Sequence, residues 1–189
     1  MSAVLASGDN GVARSAEDDG NSDGCLGTNQ IFNSDFHAAC PYITTIGANY
    51  LPLGGKVKTD SEVAVPWFGS GGGFSNIQPI PSYQSAVVNG YLTNTPPPYP
   101  AYQVTNNANI GANGGIYNSA GGGYPDVSAV GDDVVIFNEG TRTLIGGTSA
   151  AALIFAALLN RINEERLAAG KLTVGFANPA LVRSLYSGI

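Results

Sequence analysis

Positive charge is scarce in this chain. Its 189 residues hold 8 Lys+Arg against 14 Asp+Glu, for a net charge of −6. Nucleic-acid binders need clustered basic residues, so that class of partner is excluded. Charged residues of both signs make up only 12%, too few for a disordered or coiled-coil chain. Long apolar runs are also missing. The longest, Ala150 to Leu159, has ten residues, whereas a membrane span needs about 20. It predicts a buried helix and no membrane partner. Met1 is followed by Ser-Ala-Val-Leu-Ala and then Ser-Gly-Asp, without the basic and apolar regions of a signal peptide. Histidine occurs once, at His37, and cysteine twice, at Cys25 and Cys40.

Glycine and proline are abundant, at 26 and 11, as suits a compact, loop-rich protein with one sizeable core. Ala3 to Ala6 predicts a buried strand that runs into the turn Ser7-Gly8-Asp9-Asn10-Gly11. Residues 13–35 are polar and acidic, a long surface loop. Tyr42 to Ala48 is rich in β-branched residues and predicts a second strand, and Val63 to Phe68 a third. Apolar residues at helical spacing predict a helix over Ser82 to Leu92, which Pro96 to Pro98 ends. Residues 99–123 show no clear period. Val127 to Val130 predicts a strand. Val134 to Asn138 and Thr143 to Ile145 predict a hairpin across Glu139-Gly140. A helix should run from about Ser149 to Ala169 and stop at Gly170. Strands separated by long connections, with a helix after the last, indicate an α/β fold with a largely parallel sheet.

Ser149 stands where a glycine turn meets that last helix. It could cap the helix, satisfying an orphan N–H for about 1 kcal/mol. It could instead be a nucleophile at the positive end of the helix, its own N–H facing an oxyanion. A serine nucleophile needs a base. The order Asp9, His37, Ser149 is that of a subtilisin-type triad. His37, however, lies in Phe36-His37-Ala38-Ala39-Cys40-Pro41, where Pro41 stops a helix, and a loop histidine is expected. The glycine-rich Ser70-Gly71-Gly72-Gly73 could line a peptide groove with backbone groups or form a flexible turn. Asp9 could be a simple turn residue.

Several segments together resemble the sedolisin family, the serine-carboxyl peptidases that include tripeptidyl peptidases. Ser7 to Val12 resembles S-G-D-x-G-V, and Phe36 to Ala48 resembles F-P-A-S-C-P-Y-V-T-x-V-G-A. Ser70 to Asn76 with Pro81 to Gln84 resembles S-G-G-G-F-S followed by P-x-Y-Q. Tyr124 to Ala129 is similar to the P-D-V-S-A strand, and Gly147 to Ala150 to G-T-S-A. Asn163 to Pro179 resembles I-N-x-x-R through N-P. The segments occur in family order across nearly the whole chain.

The resemblance implies a subtilisin-like α/β fold, a mostly parallel sheet flanked by helices, here as an incomplete C-terminal portion spanning residues 1–189. It implies an acid serine peptidase acting on peptide or protein substrates by acyl transfer, outside the cell or in an acidic compartment. Ser149 takes the nucleophile position and Asp9 the oxyanion-hole position; Asp126 takes a structural position. Ser70, Gly71 and Gly72 are candidate substrate-binding residues. Only a protonated carboxyl can donate to an oxyanion. An aspartic acid of reference pKa about 3.9 is about 0.1% protonated at pH 7, so such chemistry belongs in acid.

The family's Glu base and its partner Asp lie on a segment before S-G-D, and its calcium site lies after the N-P-x-L segment; neither is expected within this chain. It is therefore expected to supply no cofactor or metal ligands of its own, and the N-terminal part of the family's domain is a candidate partner. Alone it is expected to be inactive, and a non-catalytic or peptide-binding relic remains the alternative. The family's proline after G-T-S-A-S is replaced in the stretch Ala151-Ala152-Leu153, and His37 stands where proline is usual. An oxidising compartment implies a disulfide between Cys25 and Cys40. It would close a loop of about 15 residues for about 3 kcal/mol, the alternative being two buried thiols.

Overall fold

The computed structural model describes residues 1–16, 23–28, 30–52, 54–56, 58–104 and 109–186. Part of the acidic loop and part of the aperiodic 99–123 stretch therefore lie outside the described residues. The main sheet is built on β2 (Thr44–Tyr50). β1 (Val4–Ala6) pairs parallel with its first half. β3 (Val63–Ala64) pairs antiparallel with its end, Asn49 and Tyr50. On the other edge β8 (Val127–Val130) pairs parallel with Ile46 to Asn49. The expected parallel sheet is present, with β3 as its antiparallel member.

β2 alternates its faces, as strand geometry requires. Ile46 and Ala48 point to a core completed by Val65, Ala151 and Ala152. Ala151 and Ala152 belong to α2 (Thr148–Ala168), which packs against β1, β2 and β8. Thr45 and Gly47 face the other way. There Thr45 Oγ1 donates to Ala38 O at 2.8 Å. A Cβ at Gly47 would lie 2.9 Å from Pro125, so only glycine lets that loop close on the sheet. α2 ends as expected at Gly170 (φ +69°), with Lys171 N–H donating to Arg166 O and Gly170 N–H to Leu167 O, the Schellman pattern.

Three expectations shift. The third strand is only two residues long, because Pro66 has no N–H to continue a ladder and Val65 turns into the core. Gly73, read only as the end of a glycine turn, opens β4 (Gly73–Pro79), antiparallel to β7 (Gly121–Tyr124). β7 is glycine-rich for a steric reason: a Cβ at Gly121 would lie 2.0 Å from Ser75 O. The stretch without a period also holds two-residue strands, β5 (Ala101–Tyr102) and β6 (Tyr117–Asn118). α1 spans Ser85–Asn94, and the hairpin β9 (Val134–Asn138) and β10 (Thr141–Ile145) turns at Glu139-Gly140 with both φ positive, the type I′ signature.

The thiols of Cys25 and Cys40 are not joined, which corrects the disulfide expectation. They sit in different turns. Cys25 N–H donates to Asp23 Oδ1, beside the Gly24 carbonyl that accepts from Arg14 N–H. Cys40 N–H donates to His37 O and Cys40 O accepts from Ile43 N–H, near Tyr83 and Asp126. Burial, and then the Asp23 carboxylate, push the Cys25 thiol up.

One carboxylate ties the layers together below the sheet. Asp126 accepts from Thr45 N–H at 2.9 Å and from Gln84 Nε2 at 3.0 Å. Asn178 opens α3 (Asn178–Tyr186). Its Oδ1 accepts from Thr44 Oγ1 at 2.5 Å and its Nδ2 donates to Ile43 O at 2.9 Å. Burial raises the pKa of Asp126 despite the hydrogen bonds from Thr45, Gln84 and Asn178, which act the other way. A raised carboxyl pKa means that the folded protein holds this proton more firmly than the unfolded chain. The contribution is complete below the ordinary carboxylate range and is lost as pH rises through the raised value. Asp126→Asn removes that titration. The melting temperature of the parent, measured from pH 3 to 7, should fall relative to the variant as pH rises through this window. Parallel profiles would assign the acid dependence to other groups.

Candidate active site

The turn after β1 meets the start of α2 through one side chain. Asp9 Oδ1 accepts from Thr148 N–H at 2.8 Å and from Thr148 Oγ1 at 2.9 Å. Thr148 Oγ1 in turn accepts from Gly8 N–H at 3.1 Å. Thr148 is buried, while Asp9 and Ser149 are exposed. The first N–H groups of a helix lack partners within it, and here Asp9 reaches across the fold to satisfy one. The helix starts one residue before the expected Ser149, with Gly147 as its N-cap and no capping side chain of its own. Ser149 is therefore not the cap. Among the described residues its Oγ makes no hydrogen bond and its N–H has no acceptor.

The second oxygen of Asp9 faces the same strap. A Cβ at Gly147 would lie 3.1 Å from Asp9 Oδ2, and Gly147 has φ +132°, so both space and backbone require glycine there. With Oδ1 accepting both Thr148 donors, a proton on this carboxyl belongs on Oδ2. The arrangement offers an exposed hydroxyl, an open helix N–H and a carboxyl oxygen along one short strap.

Ser70, Gly71 and Gly72 lie beside this strap, but their hydrogen-bonding groups are engaged within the protein. Ser70 Oγ accepts from Ala48 N–H at 2.9 Å. Gly71 N–H donates to Gly8 O at 2.7 Å and Gly72 N–H to Gly11 O at 3.1 Å. A Cβ at Gly71 would lie 1.9 Å from Ser7 O. These two N–H groups thus hold the Asp9 turn in place. Behind Gly72 and Gly73 opens a cavity of about 700 Å3 with Phe32, Phe74 and Tyr117 in its walls.

His37 stays apart. It is exposed, its ring packs edge-on against Phe36 at 5.1 Å, and its N–H donates to Asp35 Oδ1 at 3.3 Å. No hydrogen bond links its ring to Asp9 or Ser149, so the subtilisin-type order of residues is not a subtilisin-type triad. Sequence reasoning missed Thr148, whose buried hydroxyl carries the clamp; only its place beside Ser149 could have flagged it. It also missed Asp35, whose Oδ2 lies 3.2 Å from where a Gly8 Cβ would be. Among the described residues no group of three or more His, Cys, Asp or Glu is placed to hold a metal ion. Nor is any described helix long and apolar enough to cross a membrane.

Over 182 residues the chain is 56% identical to tripeptidyl-peptidase sed1 of Aspergillus fumigatus, covering 96% of this chain and 28% of that protein. It is 47% identical to aorsin of Aspergillus oryzae (97% and 29% covered) and 34% identical to tripeptidyl-peptidase 1 of Bos taurus (100% and 29%). Among solved structures, Pseudomonas sedolisin, a serine-carboxyl proteinase, shares the fold with TM-score 0.66 at 22% identity, covering 99% of this chain and 44% of the other. The chain is a relative of the sedolisin-type peptidases. No protein-family model matches it. It spans less than a third of the length of these curated relatives, so it corresponds to a portion of a sedolisin-type protein.

The clamp can be tested without any activity. Asp9→Ala leaves Thr148 N–H without its acceptor and should cost about 1–2 kcal/mol, as loss of a helix cap does. Asp9→Asn keeps a carbonyl oxygen for Thr148 and should cost less. Urea denaturation of the three proteins checks this. Equal stability of parent and Asp9→Ala would mean that the contact adds nothing to the fold.

Proposed function

We propose that this chain carries the nucleophile and the oxyanion site of a sedolisin-like acid peptidase. Ser149 Oγ attacks the carbonyl carbon of a peptide bond. Its proton passes to a carboxylate base contributed by residues outside this chain. Ser149 N–H and protonated Asp9 Oδ2 donate to the oxyanion. The C–N bond then breaks, the proton goes to the leaving amine, and water releases the acyl group from Ser149. The observation that carries this reading is the clamp: Asp9 Oδ1 is fixed on Thr148 at 2.8 Å, next to the nucleophile, with Oδ2 left to donate.

The apolar cavity behind Gly72 suits a peptide side chain. The outer face of α2 supports the idea that this chain is part of a larger domain. Ile154, Leu158 and Ile162 stand four residues apart on one side and are all exposed, with Leu153 also exposed at 73%, a stripe that a surface helix would not carry. The acid chemistry fits a protein that works outside the cell or in an acidic compartment.

The chain alone should hydrolyse no peptide between pH 3 and 7. A domain completed with the base-bearing part of a sedolisin-type relative should be active in acid and lose activity in Ser149→Ala. Asp9→Ala should lower kcat by about 10²–10³, the loss of one oxyanion donor, and Asp9→Asn by less. Hydrolysis by the chain alone that survives Ser149→Ala, or that His37→Ala abolishes, would overturn the assignment. Inactivity of the completed domain at every pH would favour a peptide-binding relic.

A further inference from the structure

The segment before Gly69 runs along the Asp9 turn. Gly69 bridges Asn10, and its carbonyl accepts from Gly11 N–H at 2.7 Å. Two residues earlier stands Trp67, the sole tryptophan of the chain and 65% exposed. Such exposure is unusual for so large an apolar ring, yet the ring is held from two sides. Its Nε1–H donates to Asp132 Oδ2, and Tyr50 packs against it at 5.4 Å. Pro66 and the buried Val65 anchor the backbone just before it.

These contacts lead to the nucleophile strap. A Cβ at Gly146 would lie 2.7 Å from Asp132 Oδ1 and 3.6 Å from the Phe68 ring. Gly147 N–H donates to Gly131 O at 2.8 Å. Asp132 thus connects the indole to the Gly146–Ser149 strap, while the Gly72 end of the same segment lines the large cavity. With its N–H occupied by Asp132, the indole offers only its open face, which suits apolar and aromatic groups.

We propose that Trp67, backed by Tyr50 and held by Asp132, is a shelf for an apolar or aromatic side chain of the peptide bound at Ser149. The proposal rests on the peptide-site reading of Ser149 and Asp9, but it concerns binding and needs no catalysis. Trp67 is a specificity residue here; it takes no part in bond breaking.

The sole tryptophan makes the shelf its own reporter. The 189-residue chain would be titrated with blocked pentapeptides of alanine whose central residue is Phe, Gly or Lys. Tryptophan emission and calorimetry would follow binding, and circular dichroism would confirm folding of each variant. The Phe peptide should shift the emission saturably and bind about three- to tenfold more tightly than the Gly peptide, the range expected for one aromatic contact. Trp67→Ala should bring the Phe peptide down to the affinity of the Gly peptide and leave the latter unchanged, while Trp67→Phe should keep most of the preference. The shelf is refuted if Trp67→Ala binds the Phe peptide like the parent, if binding leaves the emission unchanged, if the Lys peptide binds best, or if no peptide binds at millimolar concentration. Those failures leave the Ser149 assignment standing if the completed domain still loses hydrolysis in Ser149→Ala. An inert completed domain with a working shelf would overturn the catalytic reading alone.

Discussion

A single carboxylate oxygen, Asp9 Oδ1, joins the end of the first strand to the first turn of the longest helix. It accepts from both donors of Thr148, at 2.8 and 2.9 Å, across 139 residues of sequence. The surrounding glycines follow from that approach. Gly71 can bear no Cβ because Ser7 O occupies its place, and Gly147 can bear none without meeting Asp9. Gly71 and Gly72 donate to the carbonyls of Gly8 and Gly11, so the turn that aims Asp9 is stitched along its length. The site is thus a packing solution first: two backbone segments and a helix start brought close enough that one side chain bonds what local sequence leaves unsatisfied.

Two acidic residues in the structure illustrate opposite uses of a carboxyl group. Asp126 is half-buried, pinned by Thr45 and Gln84, and pushed toward its protonated form by desolvation. It joins the sheet to α1, and Asn178 brings the start of α3 to the same group of contacts. Asp9 is exposed, engaged on one oxygen and open on the other. The first ties secondary-structure elements together, and the second ties the start of a helix to a distant turn.

Much of this was legible in the sequence. β2 declares itself by Ile43, Thr44, Thr45 and Ile46, because a buried parallel strand favours β-branched residues. The hairpin follows from Glu139-Gly140, and the end of α2 from Gly170. Ser149 and Asp9 were legible only as members of an ordered set of motifs, since each alone reads equally as a turn or cap. β4 and β7 were hidden because their glycines answer to close backbone approach, a tertiary fact that propensity cannot carry. The cap of α2 was misplaced for the same reason: its acceptor comes from the other end of the chain.

The most direct test of the central claim is a crystal structure at about pH 4 of the completed domain with a peptide aldehyde. If Asp9 serves the oxyanion, Ser149 Oγ is bonded to the aldehyde carbon. The resulting oxygen then lies within hydrogen-bond reach of Asp9 Oδ2, about 2.5–3.0 Å, while Asp9 Oδ1 remains on Thr148. An aldehyde bonded to another residue, or an oxygen turned away from Asp9 toward solvent, would contradict the assignment and leave Asp9 as the clamp of the helix alone.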